Sequence, residues 1–368
     1  MPKPFVLLGW QLSYFTGKTR SHLLYKGIPF VERPITFWQY AREAPRRTRA
    51  AVMPVLVTPE GEWWQDTSDI IDRLEARFPE PSIQPKGALQ QVLDLLLEAW
   101  ADEFWIPSAM HTRWTYPEAN WDLFRREAGS GLLPWAPRFL QNLAAGKARD
   151  AMRAHLPILG IVPTQYAIIE SWTRRMLERL DAHFAQHEFL LGGRPCRADF
   201  ALVGPFYGHL ARDPWPRDHL VAQHAHVRRW LERMQLAAKP EGAFLADDAI
   251  APTLLPILEA VFSEFLGWCS GIACQMNALT PRPAPGVKWP RGLAPVEFQM
   301  DGKPFQRAAL PYVLWMLQRV QDCLRALPAT EHEHVRSWLV DHGGGAVVNL
   351  QFPRIERAGL RVATARVA

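Results

Sequence analysis

The chain carries only four cysteines in 368 residues, and none forms a CxxC pair. Cys196 and Cys323 are isolated and Cys269 and Cys274 have the wrong spacing, so neither a zinc ribbon nor a disulfide framework is encoded, and mostly buried free thiols are expected. Equally lacking is an uninterrupted run of about 18 apolar residues, the length that a membrane span demands. Met1-Pro2-Lys3-Pro4 has no leader pattern, so a cytoplasmic protein without a membrane partner is expected. No sequence period of about 20 to 50 residues recurs, which removes solenoids and propellers. Charge of one sign is scarce as well. Lys and Arg total 42 against 37 Asp and Glu, and the arginines are dispersed among the acids, so a mixed solvated surface is expected in place of a nucleic-acid face. His183 and His187 stand four apart without a third ligand nearby, and read as surface histidines, so no metal site is expected. Gly343-Gly344-Gly345 is not followed by Gly-Lys-Ser/Thr and is a flexible turn, not a phosphate loop.

What is abundant is apolar content at 48%, with 16 tryptophans and 32 prolines. Aromatic packing or an aromatic-lined pocket follows, together with many helix breaks. Phe5 to Trp10 reads as a strand, Lys18 to Lys26 as a helix stopped by Gly27, and Pro29 to Ile35 as a second strand. Ala51 to Val57 is a further apolar β-type run that contains Pro54. A proline there removes a backbone donor and is expected only at a strand start, an edge or a bulge, sometimes with a cis bond. A turn at Glu60-Gly61 leads to a short strand and then a helix, with Asp66 or Thr67 at its N-cap and Ile70, Ile71, Leu74 and Phe78 on one face. Pro79, Pro81 and Pro85 mark a linker near Ile83.

From Gln90 the pattern becomes helical. Val92, Leu93, Leu96, Leu97, Trp100, Phe104 and Trp105 form one apolar stripe, Tyr166 to Phe184 another, and Phe200 to Leu210 and Val227 to Met234 two more. Lys239-Pro240-Glu241-Gly242 reads as a boundary, followed by helices over Thr253 to Asn277 and Pro311 to Leu327 with a proline-rich segment between them. Three domains are therefore expected, over residues 1–83, 86–238 and 239–368.

In this order, the residues resemble the cytosolic glutathione transferase family. Lys18 to Phe30 is similar to the family's first helix and second strand, Met53-Pro54-Val55-Leu56 to its cis-proline turn, and Asp66-Thr67 to its Glu-Ser or Asp-Ser pair. Arg197-Ala198-Asp199-Phe200 resembles the start of its buried core helix. The resemblance spans Phe5 to about Met234 and implies an α+β protein: a thioredoxin-like N-terminal domain, an all-α glutathione-transferase-like domain, and here a further, mostly helical extension with no counterpart in the family pattern. It further implies glutathione as co-substrate, a small-molecule second substrate and a homodimer.

A glutathione reaction needs the thiol ionised near neutral pH, whereas a free thiol has a pKa of about 8.5. A hydroxyl aimed at the sulfur stabilises the thiolate. Counted back from Lys18, Ser13 falls where serine-type and cysteine-type members place their active residue, with Tyr14 and Thr16 as neighbours able to substitute; the bland role for such a serine is to cap the helix. Serine cannot form a mixed disulfide, so addition, substitution or isomerisation fits better than thiol transfer. Met53 and Pro54 would pair with the extended peptide, and Asp66 and Thr67 would hold its α-amino and α-carboxylate groups or serve only as cap. Arg42, Arg46, Arg47 and Arg49 either attract the glycine-end carboxylate or are a solvated run. The lysine that often precedes the family's Val-Pro is missing, since Val52-Met53 stands there. Trp100, Asp102, Glu103, Phe104, Trp105, His111, Arg113 and Trp114 line the second-substrate pocket if the family register holds, or are core. Two functions follow: a glutathione transferase-like enzyme acting on a small apolar or aromatic electrophile, or a non-catalytic binding or scaffold protein whose extension forms the partner surface.

Overall fold

The computed structural model describes residues 3–236 and 242–366. The expected boundary at Lys239-Pro240-Glu241 lies outside them. The strands and helices of the N-terminal part alternate: β1 Phe5–Gly9, α1 Tyr14–Tyr25, β2 Phe30–Pro34, a short α2 Ala44–Thr48, β3 Val55–Val57, β4 Trp63–Gln65 and α3 Thr67–Arg77. Helices follow as α4 Ala88–Glu103, α5 Ile106–Trp114, α6 Pro117–Leu132, α7 Arg138–Arg153, α8 Tyr166–Phe184, α9 Arg197–Pro205, α10 Pro214–Pro216 and α11 Ala225–Met234. Beyond these come α12 Leu255–Ala260, α13 Leu266–Ala278, the hairpin β5 Leu293–Met300 and β6 Lys303–Ala309, α14 Pro311–Ala326, α15 Ala329–Asp341, α16 Gly345–Asn349 and the hairpin β7 Ile355–Ala358 and β8 Arg361–Thr364. The chain is thus a thioredoxin-like unit followed by a mostly helical region and an extension of helices and strands. Two compact units interleave along it: residues 1–83, 108–156 and 199–241 form the first, and residues 84–107, 157–198 and 242–368 the second.

In the first unit the sheet order is β2-β1-β3-β4. β1 and β2 are parallel, which requires the crossover that α1 supplies, and β3 and β4 are antiparallel neighbours closed by a short turn at Glu60-Gly61. Both sheet faces are covered. Phe5, Leu7, Leu56 and Trp64 pack with Leu23 of α1 and Ile70 and Leu74 of α3, while Leu8 and Val55 pack with Ile35 and Ala44. α1 is buried nearly all round although it is polar, so its side chains need partners. Arg20 forms a two-pronged pair with Glu32, and Lys18 Nζ donates to Ser68 Oγ at 3.1 Å. His22 and Lys26 both reach Glu75; burial pushes its carboxyl up, but these two hydrogen bonds outweigh that and hold it below the usual range.

The second unit has an aromatic core. Trp100, Phe104 and Trp105 meet Trp172 edge-on, and Phe104 also meets Phe265, Trp268 and Phe298. The helical run Pro252–Ala278 is long and apolar enough to cross a membrane, but 67% of its most apolar window is buried inside the fold. Asp94 of α4 caps α9 from a distance, accepting from Ala198 N at 2.8 Å and Arg197 N at 3.3 Å. The strands over 293–309 were not expected from the sequence, where the proline-rich stretch obscured them. Their alternation of Val296, Phe298 and Met300 with polar residues, and the Asp301-Gly302 turn with both φ positive, form a short hairpin signal. Of the thiols, Cys196 and Cys269 are buried, Cys323 is intermediate and Cys274 is exposed on α13, so half and not most are buried.

His183 is also corrected: it is fully buried, with Nδ1 facing Thr253 Oγ at 2.9 Å and Nε2 donating to the Phe189 carbonyl at 3.3 Å. Burial is the main force holding its pKa at about 4. The folded state therefore favours neutral imidazole. That stability is complete above the unfolded value near 6.5 and is lost as pH falls from there towards 4, about 2 kcal/mol of it by pH 5. Asp94 has the opposite slope, since burial pushes it up to about 7 and its contribution is lost as pH rises towards that value. Denaturant unfolding of wild type and His183→Gln at pH 7.5 and pH 5 isolates the histidine: the gap between them should narrow by about 2 kcal/mol at the lower pH. A gap independent of pH would remove His183 from this role.

Candidate functional site

Ser13, Met53-Pro54 and Asp66-Thr67 all adjoin one end of the four-stranded sheet. β3 runs antiparallel to both neighbours, so Leu8, Val55 and Gln65 occupy a single rung. From that rung β1 runs out towards Ser13, β3 is entered from Pro54, and β4 leads directly into Asp66. Neighbouring strands lie about 4.8 Å apart, so the outer two of these three ends are separated by about 10 Å.

Ser13 is the N-cap of α1. Its backbone is extended, and its hydroxyl oxygen accepts from Thr16 N at 3.3 Å. The helix-capping role is therefore realised; a hydroxyl that accepts keeps its own proton to donate. The loop before it is held from behind by a buried cluster. Arg113 of α5 donates to the Leu12 carbonyl at 3.0 Å and to the Gly208 carbonyl, and makes a two-pronged pair with Asp213 at 2.8 and 3.1 Å. Arg113 and Asp213 are both buried. His209 lies 3.5 Å from the same guanidinium; burial first, and the Arg113 charge second, push its pKa well below the ordinary value. Gly208 is required here, because a Cβ would sit 2.9 Å from the Ser13 carbonyl oxygen. Tyr207 adds a 2.5 Å hydrogen bond to Gln11 in the same loop.

The Met53–Pro54 bond is cis. Met53 is half-buried, its side chain packs under the sheet, and among the described residues no hydrogen bond engages its backbone amide or carbonyl. Asp66, with φ of 77°, is the N-cap of α3 and accepts from Ser68 N at 3.0 Å and Asp69 N at 3.3 Å. Its carboxylate is thus partly spent on its own helix. Thr67 is the first helical residue, and the Lys18 ammonium group lies beneath the same turn through Ser68. Of the four arginines ahead of the proline, Arg42 stacks on Trp38 and Arg47 on Trp63, at 5.3 and 5.0 Å, and all four are exposed.

The residues offered for a second-substrate pocket divide between the two units. Trp100, Phe104 and Trp105 are core of the second unit, while His111, Arg113 and Trp114 are buried in the first. Arg113 turns from pocket wall into clamp. That role was missed because its partner Asp213 lies 100 residues away, where no local spacing signals it.

Residues 7–82 match the family model of the glutathione S-transferase N-terminal domain, and residues 164–235 that of the glutathione S-transferase C-terminal domain. No curated protein matches the chain. Among solved structures, similarity extends to a glutathione S-transferase from Methylobacterium radiotolerans in complex with glutathione sulfonate, 17% identical over 67% of this chain and 100% of that one, with a TM-score of 0.40. It extends also to one from Methylobacillus flagellatus with glutathione bound, 20% identical over 67% and 100% of the two chains, TM-score 0.39. FzlA from C. crescentus is 18% identical over 67% of this chain and 98% of its own, TM-score 0.40.

Proposed function

We propose that this chain is a glutathione transferase-like enzyme that activates the glutathione thiolate with Ser13 for attack on a small apolar or aromatic electrophile. The observation that carries the reading is the shared rung of Leu8, Val55 and Gln65, which gathers Ser13, the Met53 backbone and the α3 N-terminus at one sheet end. An extended tripeptide spans about 10 Å, the width of that rung. Laid across it, the peptide would pair with the unengaged Met53 amide and carbonyl as an added strand. Its γ-glutamyl carboxylate would meet the Thr67 amide at the positive end of α3, and Asp66 would accept from its ammonium group. The sulfur would then receive the Ser13 hydroxyl proton as a hydrogen bond, which favours the thiolate.

One observation favours the non-catalytic alternative: both Ser13 and Asp66 already satisfy helix termini, so a chain that had lost glutathione would still keep them. Calorimetric titration and thermal melts with millimolar glutathione separate the two. A ligand at 100 times its Kd raises stability by about 2.7 kcal/mol, so a clear rise in melting temperature is expected. The absence of both heat and a shift at that concentration would remove glutathione from the proposal. Binding without turnover of any aromatic electrophile would leave the binding-protein reading in its place.

A further inference from the structure

The hairpin of α6 and α7 carries a surface that the glutathione reading does not use. The two helices lie very close: a Cβ on Gly129 would stand 2.8 Å from the Gln141 carbonyl oxygen. α7 buries only Gln141 and Ala145. Its remaining apolar side chains face solvent. Trp135, in the turn, is 89% exposed, Phe139 69% and Leu143 58%, with Leu140 beside them. Four-residue steps place Phe139, Leu143 and Lys147 along one side of the helix. A contiguous apolar patch of this kind on a protein surface marks an interaction site.

The charge within the hairpin tip is basic. From Ala128 to Arg149 the chain contains no acidic residue, but it contains Arg138, Lys147 and Arg149. Arg149 is spent on the Trp121 ring at 4.7 Å and on Asp150 at 2.9 Å. Lys147, and Arg126 on α6, make no ion pair among the described residues. On α6, Asp122 pairs with Arg125 and Glu127 with Arg212, so these acids are neutralised locally.

A second copy of the chain fits this face poorly. Packed in parallel, α7 would set its cations against their own images; packed antiparallel, the aromatic half would meet the basic half. An anionic bilayer fits both halves. Tryptophan and phenylalanine at the tip suit the interfacial zone, and Lys147 lies about 12 Å along the axis from Phe139, the depth at which headgroups follow. We propose that the tip of the α6–α7 hairpin is a peripheral docking surface for anionic phospholipid bilayers. The expectation of no membrane partner rested on the missing hydrophobic span, a criterion that an aromatic hairpin tip with basic flanks does not engage.

The test is co-sedimentation of the full chain with vesicles of phosphatidylcholine alone or with about one-third phosphatidylglycerol. Wild type should pellet with the anionic vesicles, weaken with added salt and remain in solution with the neutral ones. The variant W135A/F139A/L143A, whose sites are exposed, should bind at least about 10-fold more weakly, and R126E/K147E should lose the preference for anionic lipid. Circular dichroism and light scattering accompany the assay. Equal binding of wild type and both variants, or no binding of wild type to anionic vesicles, overturns the proposal. So does a fall in solution mass on W135A/F139A/L143A without vesicle binding by wild type, because the face is then a contact between copies.

Discussion

Arg113→Met is expected to lower the unfolding free energy by about 3–5 kcal/mol, because it strands the buried Asp213 carboxylate without its counter-charge. Asp213→Asn should act with the same sign and smaller size, since the asparagine oxygen can still accept from the guanidinium while the buried cation loses its charge partner. Denaturant unfolding followed by circular dichroism reads both. The double variant Arg113→Met with Asp213→Leu separates two roles of the pair. Replacing both charges with apolar groups of similar volume is often close to neutral, so most of the lost stability should return. The hydrogen bonds to the Leu12 and Gly208 carbonyls do not return, and these are what fix the loop in front of Ser13. Arg113 is therefore a positioning residue in the proposed enzyme. In the double variant, kcat should remain depressed although the protein is folded. Full recovery of kcat along with stability would show that the clamp serves the fold alone.

The same cluster illustrates what a sequence reveals and what it hides. The strands of the N-terminal sheet, the Gly27 stop, the proline at the head of β3 and the Asp66 cap were legible because each is a local signal. Gly27 has φ of 62°, and Asp66 bonds only two and three residues ahead. The site inherits that legibility, as three of its parts lie where a strand meets a turn or a helix start. What failed to appear in the sequence depends on distant pairs. α9 is capped by Asp94, about a hundred residues before it, where no local spacing signals the cap. Trp100, Phe104 and Trp105 were ambiguous between pocket and core, because one amphipathic stripe serves either purpose. Their partners Trp172 and Phe265 decided for core, and these partners are remote in sequence.

For Ser13, a structural role and a chemical one coincide in a single hydroxyl, and two substitutions part them. As N-cap it is worth about 1 kcal/mol against alanine, but only a few tenths against glycine, whose open backbone tolerates the cap position. As donor to a bound thiolate it is lost equally in both. Ser13→Gly should thus be nearly as stable as wild type and yet turn over glutathione on the order of 10- to 100-fold more slowly at pH 7, as the thiol returns towards its free pKa of about 8.5. Ser13→Ala should show the same catalytic loss with the additional loss of stability. The pH profile gives the mechanism its own signature. In wild type the rate should level off below the free thiol value, and in both variants the rise should move up by about one to two pH units while glutathione affinity stays nearly constant. A glycine variant with the wild-type profile would confine Ser13 to the helix it caps, and Thr16 Oγ would then be the hydroxyl to test: it is buried, has no hydrogen-bond partner among the described residues and is one turn away.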